Sequence, residues 1–128
     1  MLSFKIDTRE KFKVITLLTE NLSANLTEEL ITACNKVLAE PIKNLVLNFE
    51  NVRSMELPIA EELVHLRELF YTHDASMVVC SLPENVKNFL IENELLDALN
   101  HTPTESEAWD IVQMEEIERE LLGDDPEA

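Results

Sequence analysis

The sequence predicts an α/β domain built on a mixed sheet of four to five strands with about four helices, and three observations carry that prediction. Two short alternating stretches open the chain as an antiparallel hairpin. Two continuous apolar runs, Leu45 to Phe49 and Met77 to Cys80, read as buried strands. Between them, Pro58 to Phe70 has helical spacing and supplies the crossover that a parallel pair requires. A chain of 128 residues with 45% apolar content suffices for one core. The domain is expected over 1–123, and the acidic residues 124–128 read as a disordered tail.

Leu2, Phe4 and Ile6 alternate with Ser3, Lys5 and Asp7, and Phe12, Val14 and Thr16 to Leu18 repeat the pattern. Alternation implies one solvated face, which places the hairpin at the edge of the sheet. After the polar loop Thr19 to Asn25, Leu26, Leu30, Ala33, Cys34, Val37 and Leu38 predict a helix from about Leu26 to Glu40, stopped before Pro41. Asn25 with Glu28, or else Thr27, is the expected cap. The two apolar runs are the central strands, covered by helices on one face and paired on both edges. Pro58 suits the first turn of the following helix, which presents Ile59, Leu63, Leu66 and Phe70 to a core shared with Leu45, Leu47 and Val78.

Pro83 opens a third helix, about Glu84 to Asn93, with Val86, Phe89 and Leu90 inward, and a short fifth strand fits near Leu99 to Thr102. Thr104 and Glu107 form a capping box for a last helix over 104–122, ended by Gly123. At 1.5 Å per residue it is about 28 Å long, enough to overrun the sheet. Its Met114, Ile117 and Leu121 either dock on the domain or meet another chain, a homodimer through this helix included.

The balance of 10 Lys+Arg against 26 Asp+Glu gives a net charge of −16, which repels phosphate backbones and anionic lipid, and no basic patch offsets it. Nucleic-acid and membrane-surface binding are therefore not expected. No apolar run approaches the roughly 20 residues of a membrane span, and nothing resembling a signal peptide precedes the first strand. Cys34 and Cys80 lie inside apolar segments as expected free thiols, which points to a reducing, cytoplasmic setting. His65, His73 and His101 are far apart and have no acid or cysteine partner at zinc-like spacing, so no metal is expected. A single glycine, Gly123, excludes the Gly-rich phosphate and dinucleotide loops, and no cofactor is expected. Carboxylates are too abundant for any acid–base pair to stand out, and no catalytic residue is assigned.

The strand Leu45 to Phe49 with its loop to Pro58, the strand Met77 to Cys80 followed by Leu82-Pro83-Glu84-Asn85-Val86, the turn at 92–99 and the Thr104-Glu105-Ser106-Glu107-Ala108 helix start together resemble the STAS domains, named for sulphate transporters and anti-sigma-factor antagonists. The resemblance spans about Phe4 to Val112. In that family the loop after the third strand reads D-S-S-G, and a serine there is phosphorylated by a partner kinase that is also an anti-sigma factor. Here the stretch is Glu56-Leu57-Pro58-Ile59: the acidic position is kept, while Leu57 and Pro58 replace the serines. Ser54, the only nearby hydroxyl, lies two residues before the acidic position, so no phosphorylation site is expected.

The resemblance thus implies a non-catalytic module that binds a protein partner, such as a kinase-like anti-sigma factor, without a phosphoryl switch. The expected contact residues are Ser54, Met55, Glu56, Leu57, Pro58, Ile59, Glu61 and Glu62. Two other classes of function fit the same shape: a small-ligand-binding or enzymatic domain using a pocket at the carboxyl ends of the strands, and an oligomerisation unit held by the last helix.

Overall fold

A computed structural model of the chain describes residues 1–123, so the expected acidic tail lies outside the described residues. The chain opens with β1 (Phe4–Thr8) and β2 (Lys13–Leu17), paired antiparallel. It continues through β3 (Asn21–Leu22), α1 (Thr27–Leu38), β4 (Leu45–Asn48), β5 (Ser54–Met55), α2 (Leu57–Thr72), β6 (Met77–Cys80), α3 (Glu84–Glu92), β7 (His101–Thr102) and α4 (Glu105–Gly123). Five strands form one mixed sheet in the order β1-β2-β4-β6-β7, parallel from β2 onward. The small strands β3 and β5 form a separate parallel pair.

The hairpin expected at the edge is split in its role. β1 is the edge strand, with Ile6 exposed, whereas β2 is hydrogen-bonded on both sides and every one of its residues is buried. Helices cover both faces of the sheet, not one. On the first face Ile15, Leu17, Leu45, Leu47, Met77 and Val79 pack against Leu30, Cys34 and Val37 of α1 and Ile59, Leu63, Leu66 and Phe70 of α2. On the second, Val14, Val46, Val78 and Cys80 meet Ala108 and Val112 of α4, and Phe12 stacks on Trp109 with ring centroids 5.0 Å apart. Val78 therefore belongs to the α4 side and not to the α2 core expected for it. The period of two sends Met77 and Val79 one way and Val78 and Cys80 the other.

Neither Asn25 nor Thr27 caps α1. The chain enters that helix through a 3₁₀ turn, Ala24–Leu26, in which Thr27 Oγ1 donates back to the Ala24 carbonyl at 2.7 Å. The capping box of α4 is present: the Glu107 amide donates to Thr104 Oγ1 at 3.2 Å. α2 and α3 end without glycine. Asp74 and Glu94 take left-handed φ of 58°, and behind them Ala75 N–H donates to Phe70 O (2.9 Å) and Leu95 N–H to Leu90 O (2.8 Å), the paired closure that satisfies the last carbonyls.

Beyond Val112, α4 is fastened to the sheet by polar groups. Ser76 Oγ donates to Glu115 at 2.6 Å, and Asn100 Nδ2 donates to the other oxygen of that carboxylate at 2.6 Å. Asn44 Nδ2 donates to Glu116 at 2.8 Å and to the Lys11 carbonyl at 3.0 Å. Arg119 donates to Ser76 Oγ at 3.0 Å. Asn44 and Ser76 are themselves buried at the amino ends of β4 and β6, so each needs these partners.

Candidate partner-binding surface

The loop from Glu50 to Glu56 leaves the carboxyl end of β4, and local chemistry fixes its path. The Glu50 amide donates to Asn48 Oδ1 at 2.9 Å and the Val52 amide to the Phe49 carbonyl at 3.0 Å, which closes a tight turn at the carboxyl end of the central strand. β5 then lies along β3: Arg53 N–H (2.6 Å) and Ser54 N–H (3.1 Å) donate to the Glu20 carbonyl, Glu56 N–H (2.9 Å) donates to the Leu22 carbonyl, and Asn85 Nδ2 from α3 donates to the Arg53 carbonyl. Ser54 Oγ donates to Asn21 Oδ1 at 2.7 Å. The polar stretch read as a loop over Thr19 to Asn25 thus contains the strand that positions this surface. Two residues are too short to show alternation.

Glu56 is the N-cap of α2 but does not cap it with its side chain. Its carboxylate instead accepts from the Ala24 amide at 2.5 Å, tying the start of α2 to the start of the 3₁₀ turn. Pro58 falls in the first helical turn as expected, where its missing N–H leaves nothing unsatisfied.

The structure divides the expected contact residues. Met55 and Ile59 are core residues, 7% and 0% exposed. They were expected at the contact surface and instead hold it up from beneath, Met55 because β5 pairs it with Leu22 of β3 and Ile59 because it lies on the core face of α2. Ser54, Glu56, Leu57, Pro58 and Glu61 are exposed and Glu62 is half-buried. Leu57, 39% exposed, forms an apolar crest with Pro58. Glu62 lies 3.8 Å from the His65 ring, and the exposed Arg53 and Glu20 pair at 3.5 Å.

Other chemistry is sparse. Burial pushes the Cys34 thiol up to about 12. The Cys80 thiol is also raised, by burial first and then by Glu105 and Glu50, with a Ser81 hydrogen bond opposing; both thiols stay protonated and poorly nucleophilic at neutral pH. Among the described residues no group of three or more His, Cys, Asp or Glu is placed to hold a metal ion. No described helix is long and apolar enough to cross a membrane. One cleft, about 350 Å³, lies at the amino ends of the strands beside Lys11, Asn44, Asp74 and Glu116, and a groove of about 390 Å³ runs between Phe4, Ile6 and Ala33. Neither is at the carboxyl ends, where the alternative reading of a small-ligand or enzymatic domain places its pocket.

An antiparallel hairpin feeding a parallel sheet, three helices on one face, a long final helix on the other and a loop-to-helix crest after the central strand together define the STAS domain fold. Solved structures bear this out. An anti-sigma factor antagonist from Mycobacterium paratuberculosis superposes with TM-score 0.75 at 14% identity, covering 88% of this chain and 95% of that one. A Thermotoga maritima protein provisionally classed as an anti-sigma factor antagonist gives 0.76 at 16% identity, covering 86% and 94%. The Bacillus cell-fate determinant SpoIIAA in its phosphorylated form gives 0.56 at 18% identity, covering 86% and 99%. At these identities the likeness is one of fold. No family model matches the sequence, and no curated protein matches it.

Proposed function

We propose that this chain is a non-catalytic, cytoplasmic regulatory module that binds a protein partner, of the kind a kinase-like anti-sigma factor represents, through the crest formed by Ser54, Glu56, Leu57, Pro58, Glu61 and Glu62. The observation that carries the reading is the crest itself. Leu57 and Pro58 stand exposed on a loop braced by β3, α3 and the Glu56 carboxylate, in a fold shared with anti-sigma factor antagonists. A pre-braced apolar rim loses little conformational entropy on docking. SpoIIAA has a phosphorylated form; here Leu57 and Pro58, the positions that the STAS resemblance gives to the family's serines, carry no hydroxyl, and the surface stays competent to bind at all times. Glu61 and its acidic neighbours steer a basic partner, so the on-rate falls as salt rises.

The test begins with proteins retained from the organism's own extract and proceeds to calorimetry with the purified partner. Pro58→Asp puts a carboxylate where the helix tolerates one but where docking must desolvate it. Affinity should fall at least about tenfold while circular dichroism is unchanged. Unaltered affinity in a folded Pro58→Asp protein removes the crest from the interface. A thermal-shift response to a metabolite, with no protein retained, favours the ligand-binding class instead.

A further inference from the structure

The outer half of α4 turns the usual arrangement of an amphipathic helix around. Glu115, Glu116 and Arg119 occupy its domain-facing positions and hold it through Ser76, Asn44 and Asn100. At 100° per residue Met114, Ile117 and Leu121 fall on the opposite side, and they are 60%, 55% and 75% exposed. Their spacing makes one continuous apolar stripe about 10 Å long. A row of large apolar side chains directed away from its own domain marks a docking surface.

The borders of the stripe say what covers it. Asp110 and Glu118 edge it, both exposed, and among the described residues neither is in an ion pair. Two α4 helices joined by this stripe would bring those carboxylates face to face in a chain that already carries −16, which opposes a second copy. The same borders complement a helix whose apolar face is edged with lysine or arginine. We infer that the outward face of α4 docks a basic amphipathic helix of a protein partner. Met114, Ile117 and Leu121 form the apolar seam, and Asp110 and Glu118 pair with the cations. This surface lies across the sheet from the crest at 54–62.

The isotope-labelled full chain is titrated, with backbone amide shifts as the readout, against two peptides of identical leucine and lysine composition, each about five helical turns long. One places its leucines on a single helical face; the other is scrambled. The amphipathic peptide should move the amides of residues 110–121 and bind at least about tenfold tighter than the scrambled one. Ile117→Glu should weaken that binding about tenfold although it adds an anion, and Leu121→Ser, a second exposed site, should weaken it too. Equal affinity for the two peptides, or tighter binding by Ile117→Glu, reveals mere charge adsorption and overturns the inference. Shifts centred on 54–62 overturn it as well. So does a dimer in sedimentation equilibrium that Ile117→Glu dissolves, since the stripe then belongs to a second copy.

Discussion

Asn44→Ala tests the polar clamp that seats α4. Asn44 Oδ1 accepts from the Ser76 amide at 2.9 Å, and its Nδ2 donates to the Lys11 carbonyl and to Glu116. Ser76 is 1% exposed, so truncation leaves its N–H buried without that acceptor, a cost of about 1–3 kcal/mol. The lost bond to a half-buried carboxylate adds roughly 1 kcal/mol more, for about 3 kcal/mol in all. Unfolding entropy of about 2.1 cal/mol/K per residue converts that to a Tm lower by about 10 °C. The single tryptophan, Trp109, stacks on Phe12 beneath α4, so its emission reports helix detachment while circular dichroism reports global unfolding. Asn44→Asp keeps the acceptor for Ser76 but sets a second carboxylate against Glu116, and it too should lower Tm. A midpoint for Asn44→Ala within about 2 °C of the unaltered protein would refute the clamp.

Four further outcomes are expected. Leu63→Ala, at a site with no exposure in the α2 core, should cost about 2–5 kcal/mol in urea unfolding; an unchanged midpoint would place α2 elsewhere. Glu94→Gly relieves a left-handed residue with a side chain and should stabilise by about 1 kcal/mol, read in the same assay. Mass spectrometry after incubation with a kinase that modifies STAS serines should find no stoichiometric phosphate on Ser54, and finding it there would restore a switch to this loop. For Cys34, the folded thiol titrates at about 12 while the unfolded one ionises near the ordinary 9. Its stabilising contribution is complete below pH 9 and is lost as pH rises toward 12, so Cys34→Ala should show a shallower alkaline decline in stability than the unaltered chain.

Much of this architecture is written locally. The runs Leu45–Leu47 and Met77–Cys80 identify inner strands because only residues shielded from water on both sides can be apolar without interruption. Pro58, Pro83 and the Thr104–Glu107 box mark helix starts because their chemistry acts within one turn. The loss of hydroxyls at 57 and 58 is likewise a matter of residue identity alone.

Other features depend on what lies across the fold. With glycine only at 123, the stops of α2 and α3 carry no local mark, and Asp74 and Glu94 take the left-handed position because the Schellman bonds and the packing behind them outweigh the cost of a β-carbon. β2 alternates in sequence yet is wholly buried, since α4 returns from the far end of the chain to cover its second face. Met55 is turned inward only by the pairing of β5 with β3, whereas Ile59 faces the core as the helical spacing of α2 already implies, and between them Leu57 and Pro58 are left as the crest. The seating of α4 is the clearest case. Its spacing alone offered Met114, Ile117 and Leu121 as a core face, and it is Asn44, Ser76 and Asn100, distant in sequence, that supply partners for Glu115, Glu116 and Arg119 and so turn the apolar stripe to the outside.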